Sequence, residues 1–378
     1  MMRIFAQNAF IDGRFQPATI NVSGDAIEEV SLGKPSNDRD IELRFDDGFL
    51  IPGLIDLQLN GVAGVDFSSA SKSEVQSALS RLPATGTTSV CPTIITSELE
   101  NIEGQLKLFS ELEHQQGSAR NLGVHLEGPV ISAYKNGAHP KQHILTGEEF
   151  LAAKIKLEQI KIFTLAPEVA GAKEVIRAAV ENGVIVALGH TAADINQARD
   201  AVRLGASMAT HLFNAMSQIH HRNPGIVMAA LLDKSINFGL IVDGEHVDHE
   251  LVDMAFRLAA ERVFIVSDAS AALLAKPGQK VKLGGIEVVV SEDGLAKRED
   301  GTLASSGMSQ LMAIEERVKA GLSREQLLTS ATAIPAGITG QSRLGRIAVG
   351  AYADLVHYLP ANKPEVDLVL ISGEKCLA

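Results

Sequence analysis

The sequence predicts an α/β protein: a closed (β/α)8 barrel of the TIM type is favoured over a doubly wound open sheet, which the pattern alone leaves open, with a small β domain assembled from both termini. Three observations carry that expectation. Eight β-branched, apolar runs recur between about residues 49 and 267, separated by segments with helical spacing, as a parallel α/β fold requires. Four of the runs end in a metal-ligand or acid–base residue type, Glu127, His190, His211 and Asp268, and parallel barrels build their sites where the strands end. Both ends of the chain carry short alternating runs broken by Gly and Asp, the pattern of small antiparallel strands.

Residues 1–48 hold the runs Ile20-Asn21-Val22, Ala26-Ile27-Glu28-Glu29-Val30 and Ile41-Glu42-Leu43-Arg44-Phe45. The eight barrel runs follow at 49–60, 88–95, 122–127, 161–166, 184–189, 206–211, 237–242 and 262–267. Amphipathic spacing at 172–182 and 193–204 predicts helices, closed by Gly183 and Gly205, because the position past a helix end is left-handed and glycine enters that region most easily. Between residues 271 and 305 the chain becomes Gly-rich and charged around Ile286-Glu287-Val288-Val289-Val290, an expected insertion or lid after the eighth strand. Leu355-Val356-His357-Tyr358-Leu359 and Leu368-Val369-Leu370-Ile371 return to the character of the N-terminus. Termini commonly lie close together, so residues 1–48 plus 343–378 are expected to form one small β domain and 49–342 the barrel.

The bulk numbers fit that plan. A chain of 378 residues, 46% hydrophobic and 21% charged, has ordinary globular composition and room for a barrel of about 250 residues with a companion domain. A formal charge of −12 argues against a nucleic-acid partner. No apolar stretch approaches the roughly 18–20 residues that span a membrane, and the first residues carry neither a long apolar core nor a small-residue cleavage site. Cys91 and Cys376 lie far apart with no zinc-ligand spacing, which suits a reducing compartment. The expectation is a cytoplasmic protein acting on a small molecule.

Glu127, His190 and His211 suit a divalent ion of zinc type. Three protein ligands leave one tetrahedral position open for water, whose pKa falls towards about 7 on such an ion. Asp268 could then act as general base and acid. His125 lies two residues before Glu127 on the same strand face and competes as a ligand, although packing support is its more ordinary role. Gln58 and Asn60 on the first run are neutral amides, weak ligands for such ions, and read as orienting residues. Arg222 offers a bidentate fork to phosphate, with Asn214 and Ala215 just past a strand where backbone N–H groups meet phosphate oxygens.

Longer motifs add a resemblance. Residues 51–66, opening Ile51-Pro52-Gly53-Leu54-Ile55-Asp56, resemble the first barrel strand of the amidohydrolase superfamily, and residues 345–356 resemble its return to the terminal sandwich. Within that superfamily, Leu126-Glu127-Gly128-Pro129, Gly189-His190-Thr191, Thr210-His211-Leu212-Phe213-Asn214-Ala215-Met216, Asp243-Gly244-Glu245-His246-Val247 and Ser267-Asp268-Ala269 together resemble the N-acetylglucosamine-6-phosphate deacetylase family, in the family's order. The resemblance implies a (β/α)8 barrel with a small β-sandwich domain built from residues 1–48 plus 343–378, and hydrolysis of N-acetyl-D-glucosamine 6-phosphate to glucosamine 6-phosphate and acetate by a homodimer with shared active sites. It implies one divalent metal ion per subunit on Glu127, His190 and His211, zinc being the first expectation and iron, manganese or cobalt tolerated by the same ligands. It places Asp268 as the catalytic carboxylate and His139 near the acetyl carbonyl, with Ala138 beside it. It places His246, Asn214, Ala215 and Arg222 on the sugar phosphate, Arg222 reaching across from the neighbouring subunit.

The sequence departs from the superfamily at Gln58 and Asn60, where many members carry His-x-His and a second metal. No lysine takes the bridging carbamate role of hydantoinase-like relatives, and Ser305 stands in the loop 301–307 where glycine is expected. Alternative functions are the same chemistry on the galacto epimer, an amidohydrolase acting on a cyclic amide, or a catalytically silent barrel that binds sugar phosphate.

Overall fold

The computed structural model describes residues 2–35, 40–283, 286–291, 296–297, 303–361 and 363–376. Eight parallel strands follow one another around a nearly closed barrel: Leu54–Leu59, Thr87–Ile95, Val124–Glu127, Ile160–Leu165, Ile185–Leu188, Met208–Ala209, Asn237–Leu240 and Val263–Ile265. The period-two alternation of each strand sorts its side chains between two cores. Ile55, Leu57, Cys91, Ile162, Ala187, Met208 and Phe264 meet inside the barrel. Leu54, Val90, Phe163, Val186 and Val263 face outward into the layer packed by the helices. Two faces to bury explain why the strands read as continuous apolar runs.

Helices Ala172–Glu181 and Ile195–Arg203 form where the spacing predicts, and Gly183 (φ 74°) and Gly205 (φ 111°) close them. Asp194 starts the second by accepting from the N–H groups of Asn196 and Gln197, with Gln197 returning a bond to the cap backbone.

Two expectations change. The run 49–60 is two strands. Phe49–Pro52 pairs antiparallel with Leu355–Leu359, and Leu54–Leu59 opens the barrel. The switch falls at Gly53, where a Cβ would stand 2.0 Å from Thr88 Oγ1, so only glycine lets the chain pass. Several barrel strands also end earlier than the apolar runs, because His190 (φ 47°), His211 (φ 27°) and Asp268 (φ 47°) leave extended geometry for the left-handed region.

Both termini build one separate eight-stranded sheet, running from Glu374–Cys376 through Phe49–Pro52 and Met2–Ile11 to Ala26–Leu32. Leu355, Leu368 and Leu370 face its own core with Ile4 and Ile20, whereas Val356, Tyr358, Val369 and Ile371 face the barrel layer. After the eighth strand, Lys280–Leu283, Ile286–Val290, Ala296–Lys297 and Leu303–Ser305 form a four-stranded antiparallel sheet where an insertion is expected. Of the loop 301–307, Gly301 and Thr302 lie outside the described residues, and Ser305 ends a short strand. Among the described residues no helix is long and apolar enough to cross a membrane, and both cysteines are free thiols.

Candidate active site

The third, fifth and sixth strands bring Glu127, His190 and His211 to one buried point at the C-terminal rim of the barrel. Glu127 Oε1 lies 3.1 Å from His190 Nε2 and 3.0 Å from His211 Nε2, and the two ring nitrogens are 3.1 Å apart. His190 Nδ1 donates to the Lys135 carbonyl at 2.8 Å, which leaves the lone pair of a neutral ring on Nε2, facing the cluster. Gly189 is required just before it, since a Cβ there would meet Thr164 Cγ2 at 2.7 Å. Burial alone would push the Glu127 carboxyl up, but His139, His190 and His211 outweigh it and hold the group well below the usual carboxylate range. Burial pulls His211 towards neutrality, and the bond and charge of Glu127 reverse this and lift it to about 9. A site that binds a proton so firmly between an imidazole and a carboxylate attracts a divalent cation by the same charge, and the two compete. The donor set fits the expected metal.

His125 does not join. Its Nδ1 donates to the Leu57 carbonyl at 2.9 Å, and its Nε2 lies 2.7 Å from Thr164 Oγ1, which in turn lies 2.6 Å from Thr210 Oγ1. It ties the barrel strands together beneath the cluster, the packing role.

His139 and Asp268 flank the cluster. The Thr96 N–H donates to His139 Nδ1 at 3.3 Å, so the ring proton sits on Nε2, 3.8 Å from Glu127 Oε2. Burial, then the charge of His190, lowers His139 to about 4, which keeps the ring a neutral donor. Burial raises the Asp268 carboxyl, and the charge of Glu127 adds to this against the opposing pull of His211 and His246. Asn60 Nδ2 donates to Asp268 Oδ1 at 2.8 Å, and Gln58 Nε2 donates to Glu127 Oε1 at 3.1 Å. Left-handed backbone at His190, His211 and Asp268 costs about 1–3 kcal/mol at each residue, a concentration of strain characteristic of functional sites.

The remaining predicted residues spread outward. His246 Nδ1 lies 2.8 Å from Asp243 Oδ2, and His246 feels the charges of Asp268 and His211. Asn214 is half-buried and its Nδ2 is a buried atom with no partner among the described residues. Ala215 (φ 49°) accepts from the Thr191 N–H at 3.1 Å, beside His190. Ala138 adjoins Gly137, at which a Cβ would come within 3.3 Å of His190 Cε1. Arg222 is not brought to the cluster: it is exposed on the segment before helix Gly225–Leu232, its N–H donating to His220 Nδ1 at 3.3 Å. Sequence reasoning missed several supporting groups. Thr96 sets the tautomer of His139, and Glu168 accepts from Thr191 Oγ1 and the Ala192 N–H at 2.6 and 2.5 Å just past His190. Asp243, which pairs with His246, is a third such group, and its i,i+3 spacing from that histidine is the sequence signal that could have found it.

Fold and site together define a parallel barrel hydrolase with a cluster at its strand ends that could hold a divalent metal. Residues 49–376 match the Amidohydrolase family. A curated N-acetylglucosamine-6-phosphate deacetylase of Bos taurus is 41% identical over 345 residues, covering 86% of this chain and 82% of its own. That of Bacillus subtilis is 35% identical over 372 residues, covering 94% and 91%. The crystal structure of N-acetyl-D-glucosamine-6-phosphate deacetylase from Mycobacterium smegmatis superposes with a TM-score of 0.91 at 28% identity over 100% of both chains. The chain belongs to the amidohydrolase family and, within it, groups with the N-acetylglucosamine-6-phosphate deacetylases.

Proposed function

We propose that this amidohydrolase removes the acetyl group of N-acetyl-D-glucosamine 6-phosphate, giving D-glucosamine 6-phosphate and acetate. The observation that carries the reading is the convergence of Glu127, His190 and His211 beside Asp268, on a barrel that groups with deacetylases of that substrate. Glu127, His190 and His211 would hold a divalent cation, which would supply Lewis acidity to water and to a carbonyl oxygen. Asp268, raised in pKa and oriented by Asn60, takes a proton from the attacking water and returns it to the departing amine, which leaves neutral. His139 donates its Nε2 proton to the oxygen that gains negative charge as the amide carbon becomes tetrahedral. His246, Asn214, Ala215 and Ala138 bind the sugar phosphate. Arg222, exposed in one chain, completes the phosphate site from the partner subunit of a homodimer.

One ion per subunit is supported by the first strand. Gln58 and Asn60 turn N–H donors towards Glu127 and Asp268, where a second cation would need lone pairs. Zinc is the ion we assign, and two free thiols accord with a cytoplasmic setting.

The test is release of free amine and acetate from N-acetylglucosamine 6-phosphate before and after chelation, with the galacto epimer and the unphosphorylated sugar alongside. Activity that disappears with chelator, returns with metal and prefers the phosphorylated gluco substrate is the expected result. Metal-replete protein without activity on it would overturn the reading, and faster turnover of the galacto epimer would reassign the substrate.

A further inference from the structure

Asp268 stands in the left-handed region at φ 47°, which an L residue adopts only when its surroundings hold it there. The eighth strand has ended at Ile265, and beyond it isolated parallel bridges join Ala269 to Leu59 of the first strand and to Ser306. The ties come from the first strand. Asp56 Oδ1 accepts the N–H groups of Gln58 and Ser267 at 3.2 and 3.3 Å, and Asp56 Oδ2 pairs with Ser267 Oγ at 2.5 Å. Ser267 Oγ accepts the Ala269 N–H at 3.2 Å, bridging over Asp268. The Asp268 N–H donates to the Gln58 carbonyl at 3.0 Å, and the Asn60 N–H to the Ala269 carbonyl at 2.8 Å. Asp56 and Ser267 are buried at 2% and 5% exposure, so water does not replace these bonds, and no step of the proposed mechanism uses either side chain. Lower in the same seam, Gln310 Nε2 donates to the carbonyls of Ile55 and Ile265 at 3.2 and 2.7 Å, closing the barrel without reaching Asp268. Two tasks along one seam are thereby separated: Gln310 closes it, and Asp56 aims what lies at its end.

We propose that Asp56, acting through Ser267, is the positioning residue for Asp268: it fixes the turn 267–269 so that the catalytic carboxylate stands over the metal cluster with its Oδ1 on Asn60. The proposal rests on the reading of Asp268 as the proton-transfer group.

The test uses Ser267→Ala, which leaves the backbone bonds to Asp56 and Gln58 in place, and Asp56→Asn, which keeps shape. Each is made in the wild-type and Asp268→Asn backgrounds. A small displacement of a reacting group costs about 100-fold in rate, so kcat should fall by that order in both variants, with KM and metal content per chain unchanged. In the Asp268→Asn background the same substitutions should cost nothing further, because residues that act as a unit are not additive. Wild-type kcat in both variants, an equal loss in the Asp268→Asn background, or a loss that tracks metal content would overturn the proposal. If Asp268→Asn alone retains turnover, the reading of Asp268 fails by itself. Crystal structures of the two variants then decide the positioning role: residue 268 still at φ near 47° with its Asn60 bond intact overturns it, and residue 268 displaced sustains it.

Discussion

Two buried glutamates make the instructive comparison. The side chains of Glu127 and Glu315 are each 3% exposed, yet one sits in a cluster that could hold a metal ion and the other in an arginine pair that joins helices to a sheet. Glu315, on helix Gln310–Lys319, accepts from Arg324 Nε at 3.0 Å, Arg324 Nη2 at 2.7 Å and the Tyr358 hydroxyl at 2.8 Å. A guanidinium that never loses its proton neutralises it, and the three bonds join two helices to the terminal sheet. Burial, then the Glu315 charge, drives the Tyr358 phenol far above its usual range, so it stays a donor. Glu127 meets Gln58, His190, His211 and, farther off, His139: amides and imidazoles, none a permanent cation. Burial is equal and the partner differs. A carboxylate matched by arginine is complete as structure, whereas one ringed by imidazoles keeps its charge for an exchangeable ion.

Substitution at each glutamate breaks the comparison from a different side, the catalytic side more severely. Glu127→Gln should abolish metal retention and, since Lewis-acid stabilisation is worth several kcal/mol, lower turnover by about 10³-fold or more. Metal analysis and rate measured on one sample check this, and bound metal with retained rate would sink the ligand assignment. Asp268→Asn should keep the metal and still lose about 10²- to 10⁴-fold in kcat. Glu315→Gln should leave the rate per folded chain unchanged and cost about 3 kcal/mol of stability, because Arg324 loses its charge partner in a largely buried site. Thermal unfolding reads that loss, and a fall in kcat without a fall in Tm would show that the two glutamates are not separate in function. His139→Asn comes next, with about 3 kcal/mol, roughly 100-fold, removed from kcat and folding intact.

The contrast also marks what the sequence makes legible. The four strand-end residues and the eight apolar runs stand out because a strand buried on both faces must be apolar until a polar residue at the barrel rim interrupts it. Glu315 carried no such signal: it sits inside an amphipathic helix, and its partners Arg324 and Tyr358 are 9 and 43 residues away. The split of the run 49–60 was hidden for a related reason, since two strands in different sheets joined through Gly53 look like one. Asp56 lies in plain view on the first strand, but its tie to Ser267 crosses 211 residues and appears only when the barrel closes. Arg222 is the converse case: the motif around it predicts phosphate binding, while a single chain leaves it exposed away from the cluster.

The smallest expected effect sharpens the comparison, because it concerns a histidine–carboxylate pair intermediate between the two glutamates. Burial pulls His246 towards the neutral ring, but the hydrogen bond and charge of Asp243 outweigh it and raise its pKa, with Asp268 adding to the rise against His211. Burial would also raise Asp243, and His246 together with the N–H groups of Glu245 and His246 brings it down instead. The pair therefore holds a proton on His246 to higher pH than a free histidine would, and an imidazolium is the form that binds a phosphate dianion best. Affinity for the phosphorylated sugar should be full below the raised pKa of His246 and fall as pH rises through it. Asp243→Asn removes the counter-charge, lowers that pKa and brings the rise in KM to lower pH. The loss at a fixed neutral pH amounts to about 1.5 kcal/mol, roughly tenfold in KM, the difference a charged hydrogen bond makes. Profiles of KM against pH for wild type and Asp243→Asn, each with phosphorylated and unphosphorylated sugar, separate the cases. A shift confined to the phosphorylated substrate assigns His246 to the phosphate, and superimposable profiles would place the Asp243–His246 pair with Glu315 and Arg324, as structure alone.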